Sequence, residues 1–293
     1  MLKVLITGSN GQLGEECLEL FTGCEYDLYG VDLPEVDLSD KNQSRAALEC
    51  IKPDLIINCA AYTAVDACEN DPSCWKANRD IPVNLSAWAA DSGAFLLHVS
   101  TDYVFSGDKP LYQPWVETDL PAPVSEYGRS KLAGECAIKE SIDNYAILRT
   151  AWLYSARGHN FLKTMLRLTL DNPGREIKVV NDQYGSPTWT KTLAQQIEII
   201  SRKGLQGLFH ASSEGHCTWY EFACAFMEEL NIAHNFVPCR TEHFPTPVKR
   251  PENSIMENRH AKKRGVNVFQ DWRVELRSFV RECGASLLKE MGD

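Results

Sequence analysis

The chain has 293 residues, of which 44% are apolar and 24% charged, with a formal net charge of −10. That length and balance describe one or two ordinary globular domains, and the acidity argues against a general nucleic-acid binder. No apolar run approaches the roughly 20 residues that span a bilayer, and no basic-then-apolar leader opens the chain, so a cytoplasmic protein without membrane contact is expected.

In chain order, Lys3-Val-Leu-Ile-Thr7 reads as a first strand and Gly11 to about Phe21 as a first helix. Further strands are predicted at Tyr26 to Asp32, Asp54 to Ala60, Phe95 to Ser100 and Asn144 to Thr150. Helices are predicted between them near 42–51, 75–92 and 127–140, an alternation that signals a parallel sheet with crossover helices. The four prolines between Pro110 and Pro123 mark a loop over the sheet. Beyond Arg149 the alternation loosens. Helices are predicted near 160–171, 191–203 and 219–230, strands near 177–181 and 207–211, and irregular chain from His243 to Pro251. The expected architecture is α/β: a doubly wound, Rossmann-type parallel sheet over residues 1–150, and a smaller substrate lobe mainly over 151–293, with some later segments returning to the first domain.

The 11 cysteines are odd in number, scattered and without a Cys-x-x-Cys pair, which argues against a disulfide scaffold or zinc ribbon. Most are expected to be small apolar residues in a reducing compartment. The seven histidines show no metal-ligand spacing.

Gly8-Ser-Asn-Gly11-Gln-Leu-Gly14 follows the first strand and opens the first helix. Glycines there allow a tight turn and close backbone approach to a pyrophosphate, and the helix N-terminus presents N–H groups to its charge. Asp32 ends the second strand, where a carboxylate accepts from adenosine ribose hydroxyls and repels a 2′-phosphate. That favours NADH over NADPH, while an Asp at a strand end is also a common turn former.

Ser100-Thr101-Asp102-Tyr103 closes a predicted strand at the edge where open α/β sheets bind ligands. Downstream, Tyr127-Gly-Arg-Ser-Lys131 sets a phenol and an ammonium one helical turn apart on one face. Together these specify reduction of a carbonyl by a nicotinamide cofactor: Thr101 hydrogen-bonds the carbonyl oxygen and Tyr127 gives the proton. Lys131 holds the nicotinamide ribose and lowers the phenol pKa from about 10. Between Lys249 and Arg264 six basic residues face two acidic ones, which suits a phosphate-bearing ligand or a solvated basic face.

These motifs resemble the extended short-chain dehydrogenase/reductases, and within them the dTDP-4-dehydrorhamnose reductases. The resemblance spans nearly the whole chain: 8–14 (GSNGQLG), 58–66 (NCAAYTAVD), 100–105 (STDYVF), 127–131, 149–154 (RTAWLY), 160–167 (NFLKTMLR), 181–188 (NDQYGSPT) and 250–254 (RPENS). It implies Gly8, Gly11, Gln12, Leu13 and Gly14 around the cofactor pyrophosphate, Asp32, Asp37, Leu38 and Ser39 near the adenosine, and Ala60, Ala61 and Tyr62 towards the nicotinamide. It implies Thr101, Tyr127 and Lys131 as catalytic residues. Thr63, Val65, Thr101, Tyr103, Trp152 and Asn160 would contact a dTDP-sugar, with Arg250 near its diphosphate. The implied reaction is NADH- or NADPH-dependent reduction of the C4 keto group of dTDP-4-dehydro-L-rhamnose, a step towards rhamnose-containing polysaccharide. Open alternatives are another 4-keto sugar nucleotide, an epimerase, or a non-catalytic cofactor-binding partner like the β subunit of methionine adenosyltransferase.

Two positions depart from the pattern. Tyr62 stands where some members have histidine. Some members also dimerise through a magnesium ion held by glutamates; Glu16 matches one ligand, but Lys191 occupies the other position, so magnesium is not expected. Both monomer and homodimer remain open.

Overall fold

In a computed structural model, which describes residues 1–22, 26–244 and 246–292, the first half alternates strand and helix as the sequence predicts. β1 (Leu2–Thr7), α1 (Gln12–Thr22), β2 (Tyr26–Val31), α2 (Lys41–Ile51) and β3 (Leu55–Asn58) come first. A continuous helical run follows, made of α3 (Ser73–Trp75), a π turn at Lys76–Asp80 and α4 (Ile81–Ser92). Then come β4 (Phe95–Thr101), α5 (Glu126–Ser141) and β5 (Tyr145–Thr150).

The second half holds β6 (Leu153–Tyr154), α6 (Phe161–Asp171), β7 (Ile177–Val180), β8 (Tyr184–Gly185), β9 (Thr188–Trp189) and α7 (Thr190–Arg202). It continues with β10 (Gly207–His210), β11 (Cys217–Thr218), α8 (Trp219–Glu229), β12 (Phe236–Cys239), α9 (Arg259–Lys263) and α10 (Trp272–Gly292). The sequence reading missed β12, α9 and α10, and the two-residue strands β6, β8, β9 and β11. α10 buries Trp272, Leu276, Phe279 and Leu287 between charged residues, an interrupted stripe that gives little periodic signal. The stretch from His243 to Pro251 is largely irregular as predicted, with Pro245 outside the described residues.

The main sheet runs β10-β5-β4-β3-β1-β2, all parallel, and the chain reverses its winding direction between β1 and β3. This is the doubly wound, Rossmann-like arrangement, whose ligand crevice lies at the carboxyl strand ends beside the reversal. Successive side chains leave a strand on opposite faces, so each strand feeds two cores. Val4, Ile6, Ile57 and Leu148 pack towards α1 and α7, while Leu5, Ile56, Leu96 and Ile147 pack towards α2, α4 and α5. β10, at residues 207–210, thus belongs to the sheet built mainly by the first half. A third core joins α6, α8, α10, β7 and β12 through Trp189, Phe222, Phe226 and Trp272. Among the described residues no helix is long and apolar enough to cross a membrane.

One irregular strap ties the halves together over the carboxyl edge. Trp115 and Ile255 pair through backbone N–H and C=O at 2.8 Å, and Tyr184 with Glu252 likewise at 2.8 Å. Asn253 Nδ2 donates to the carbonyls of Pro110 and Gln113, each at 3.0 Å. The proline-rich loop and the 250–254 motif therefore hold each other in place above the end of β4.

Candidate active site

β4 ends in extended backbone at Thr101, and the chain then folds into a 3-10 turn over Asp102–Val104, with Tyr103 N donating to Thr101 Oγ1 at 3.2 Å. α5 starts at Ser125, whose Oγ accepts from Gly128 N at 3.1 Å, a cap of about 1 kcal/mol. Gly128 decides how closely the two approach: a Cβ there would lie 2.2 Å from the Tyr103 carbonyl oxygen. With no side chain in the way, α5 seats on the turn and the Tyr103 and Tyr127 rings meet edge to face at 5.5 Å. Thr101 and Tyr127 are both buried. Burial pushes the Tyr127 phenol up; the Thr101 hydroxyl beside it pulls down, and Asp102 and Tyr103 push up. The phenol therefore carries its proton at neutral pH.

Lys131 lies beneath, 1% exposed, donating to the Val99 carbonyl at 2.7 Å with His98 Nε2 at 3.5 Å. Burial lowers its pKa to about 8, against the opposing pull of Glu135 and Cys59. Its ammonium is drawn to the carbonyl end of β4. Behind it, Asn58 Nδ2 and His98 Nδ1 lie 2.9 Å apart, and Thr7 Oγ1 donates to Asn58 Oδ1 at 2.6 Å. Burial, then Lys131, keeps His98 well below its usual range and hence neutral. Glu135 takes Arg149 Nε at 2.8 Å and Nη2 at 2.7 Å, and Ser100 Oγ at 2.7 Å. Burial opposes the Glu135 carboxylate, but Arg149 wins and holds it below the usual range.

Alongside runs a groove with a cavity volume of ≈ 380 Å³, lined by Gly8, Gly11, Asp32, Asp37, Leu38, Ser39, Ala60, Ala61 and Tyr62, and also by Lys76. Gly8 has φ +63, and a Cβ there would meet the Ala60 backbone at 2.7 Å, so only glycine lets this turn lie against the end of β3. The first-turn amides of α1 have no intrahelical acceptor and suit a pyrophosphate. The residues present therefore fit a nicotinamide dinucleotide. Leu13 and Gly14 stand behind the groove in α1. Gln12 reaches the second half instead: its Nε2 donates to the His159 carbonyl and its Oε1 accepts from Asn160 Nδ2, both at 3.1 Å. Asp32 accepts from Asn10 N at 2.9 Å and Leu33 N at 2.8 Å, so it holds the glycine turn as well as facing the groove. Asp37 is held below its usual range by Ser39, whose hydroxyl donates to it at 2.6 Å. Tyr62 is clamped by Asn78, which accepts from its N–H at 2.9 Å and donates to its carbonyl at 3.1 Å; its hydroxyl donates to Asp71 at 2.8 Å.

The residues expected to contact a sugar nucleotide gather less completely. Val65 and Tyr103 pack with Tyr127, whereas Thr63 is exposed on the loop after β3. Trp152 adopts φ 47 and stacks on Trp219 at 3.5 Å. Asn160 caps α6, its Oδ1 accepting from Lys163 N at 3.1 Å. Arg250 is already engaged: Nη2 pairs with Asp66 at 2.7 Å and Nη1 donates to Tyr103 Oη at 3.2 Å. A second, largely apolar cavity of ≈ 270 Å³ lies between Phe161, Met165, Trp219 and Arg250.

Cysteine usage needs one correction. Cys68 and Cys74 form a disulfide within the loop that packs on Tyr127, because the 3-10 turn at Ala67–Glu69 and the start of α3 bring their Cα atoms to 5.2 Å. Lys191 pairs with Glu282 at 2.5 Å, and Arg157 with Glu15 at 2.8 Å and with Glu19. Among the described residues no group of three or more His, Cys, Asp or Glu side chains is placed to hold a metal ion.

Sequence reasoning overlooked Asn58, Asn78, His98, Asp102 and Glu135. Asn58 and Asp102 sat inside quoted motifs, so the signal was present without a role attached. Glu135 falls four residues after Lys131 on the same helix face. Asn78 depends on the π turn, which no local pattern announced.

Against known proteins, residues 2–284 match the family model described as RmlD substrate binding domain. A dTDP-4-dehydrorhamnose reductase of Burkholderia thailandensis is 36% identical, covering 96% of this chain and 99% of its own. A crystal structure of a dTDP-4-dehydrorhamnose reductase from Clostridium acetobutylicum superposes with TM-score 0.93 at 37% identity, covering 97% of this chain and 100% of that one. The Bacillus anthracis dTDP-4-dehydrorhamnose reductase, solved in complex with NADP, gives TM-score 0.92 at 38% identity over 96% of this chain and 100% of that one. Full-length similarity at this level, on top of the site geometry, makes the chain a member of the RmlD substrate binding domain family, the family of the dTDP-4-dehydrorhamnose reductases.

Proposed function

We propose that this protein reduces the C4 keto group of dTDP-4-dehydro-L-rhamnose to give dTDP-L-rhamnose, using NADH or NADPH. The observation that carries the reading is the Thr101 hydroxyl beside the buried Tyr127 phenol at the carboxyl edge of the sheet, next to a groove suited to a dinucleotide. A bound nicotinamide cofactor supplies the hydride. Tyr127, kept protonated by burial, donates its proton to the keto oxygen. Thr101 hydrogen-bonds that oxygen and so favours the negative charge it gains. Lys131 contributes a positive charge below the cofactor ribose, fixed by the Val99 carbonyl.

Residues 1–150 carry the cofactor in this reading, and 151–293 mainly the sugar nucleotide. Thr63, Val65, Tyr103, Trp152 and Asn160 line the path of the substrate. Arg250 turns part of its guanidinium from Asp66 to the diphosphate, a charge-assisted contact of the kind arginine makes well. In the adenosine end of the groove Asp32 disfavours a 2′-phosphate while Lys76 favours one, so both cofactors are accepted.

The test is oxidation of NADH and of NADPH at 340 nm with dTDP-4-dehydro-L-rhamnose, comparing wild type with Tyr127→Phe. Turnover that collapses in the variant, with dTDP-L-rhamnose as product, supports the proposal. Folded protein that binds cofactor yet oxidises neither would redirect it to another 4-keto sugar nucleotide or to a non-catalytic role.

A further inference from the structure

The Thr101 hydroxyl owns a single proton, and its present partner has first claim on it. Thr101 Oγ1 donates to Asp102 Oδ1 at 2.9 Å and accepts from Tyr103 N at 3.2 Å. Asp102 is buried, and no group has hydrogen-bond geometry to its Oδ2; the nearby Ser254 hydroxyl donates to the Tyr184 carbonyl at 3.3 Å. An ionised carboxylate only accepts. While Asp102 is charged, Thr101 therefore spends its proton there and turns lone pairs towards any keto oxygen beside it. Acceptor would face acceptor, and the contact assigned to Thr101 would be lost.

Protonation reverses the bond. A carboxylic acid at Asp102 donates to Thr101 Oγ1 and releases the threonine proton for the substrate. We propose that Asp102 is a positioning residue for the reduction: only in its protonated form does it free the Thr101 hydroxyl to donate to the keto oxygen of the substrate. The inference rests on the reductase reading above and adds a residue that reading does not use.

The surroundings favour the acid. Facing Asp102 are the Thr101 hydroxyl and the Tyr103 amide from its own segment, the Tyr127 phenol from α5 and the Ser254 hydroxyl from the strap. The Arg250 guanidinium is spent on Asp66 and on the Tyr103 hydroxyl. Burial raises the Asp102 carboxyl to about 6, with the Thr101 and Ser254 hydroxyls and backbone amides opposing. A bound sugar nucleotide excludes water and brings a diphosphate, both of which shift the balance further towards the protonated form.

The experiment measures kcat and KM between pH 5.5 and 8.5 for wild type, Asp102→Asn, Thr101→Val, Thr101→Ser and the Asp102→Asn/Thr101→Val double variant. The side-chain amide introduced by Asp102→Asn donates to Thr101 at every pH. Wild-type kcat should fall with rising pH by up to about tenfold per unit once Asp102 ionises, ahead of the alkaline loss that Lys131 imposes on all variants. The ratio of Asp102→Asn to wild-type kcat should therefore rise by about tenfold or more between pH 6 and pH 8, with KM little changed. In the Thr101→Val background the same ratio should be flat. If Asp102→Asn fails to fold, Thr101→Ser should keep the early fall in kcat and Thr101→Val should lack it. An Asp102→Asn profile parallel to wild type, or a pH-dependent ratio that persists without the threonine hydroxyl, overturns the proposal. Wild type that reduces no keto sugar nucleotide overturns the reductase reading itself, and this one with it; the two failures are distinct.

Discussion

Glu135 and Arg149 meet at 2.7 Å beneath Lys131 with 1% or less of either side chain exposed, whereas Arg157 reaches Glu15 at 2.8 Å with 40% and 38% exposed. Both are arginine–glutamate pairs at nearly equal distance. In the first, water is gone from both partners, and Ser100 and the partly exposed Lys139, at 3.2 Å, complete the carboxylate's shell. In the second, water solvates both partners whether or not they touch. Distance alone thus says little about what an ion pair does. The buried pair holds α5, which carries the lysine, against β5, and the exposed one joins the surface of α1 to the segment before α6.

Breaking the buried region where it meets substrate should have the largest effect. Tyr127→Phe is expected to lower turnover by roughly 10²–10⁴-fold with folding and cofactor binding retained, read by steady-state kinetics and cofactor titration. A variant within threefold of wild type would remove the tyrosine from the chemistry.

Next comes Arg149→Met, which leaves the buried Glu135 carboxylate with only Ser100 and the partly exposed Lys139. Chemical denaturation should show a loss of up to about 3–5 kcal/mol, and a loss under about 1 kcal/mol would mean the buried pair contributes no more than the exposed one.

Protonating the buried histidines and Glu135 should weaken the same region by a smaller amount. His98 and His210 are held neutral by burial, His210 down at about 3, so their stabilising contribution is complete above the unfolded histidine value near 6.5. It is lost as pH falls below that towards their folded values. Glu135 sits below its usual range, so its contribution holds above about 4.3 and goes as pH falls through its lowered pKa. Asp102 and Glu275, raised by burial to about 6 and about 7, act in the opposite direction over the same range. The readout is therefore the difference between wild type and His210→Gln. The fall in urea midpoint from pH 7 to pH 4.5 should be smaller in the variant, and an equal fall would mean His210 is solvated in the fold.

The smallest effect belongs to the exposed pair. Arg157→Ala should cost less than about 1 kcal/mol, and added salt should shrink even that. A larger, salt-resistant loss would show that Arg157 acts on the second lobe through more than its charge.

Much of the fold was legible because its signals are local. The apolar runs at 3–7 and 54–60 are too short for helices and too continuous for surface strands, and the glycine turn after the first of them admits few structures. Tyr127 and Lys131 were legible as well, since four residues on a helix always share a face. Less could be read in the second half. β7 and β12 pair across an intervening 50-odd residues, and α10 buries its stripe only because α8 is there to receive it. Arg250 could be named as a phosphate ligand, but its bonds to Asp66 and Tyr103 depend on a strap whose position no neighbouring residue dictates.

By itself, then, the sequence determined what repeats or bonds over a few residues: strand and helix order in the first half, the glycine turn, the tyrosine–lysine face and the family. Only the tertiary structure decided what each polar side chain is bonded to. It gave the Thr101 proton to Asp102, drew Lys131 towards Val99 and His98, and joined Cys68 to Cys74. The physical reason is that secondary structure follows from near neighbours, whereas the bonding of a buried polar group is set by whichever distant residues share its dry space.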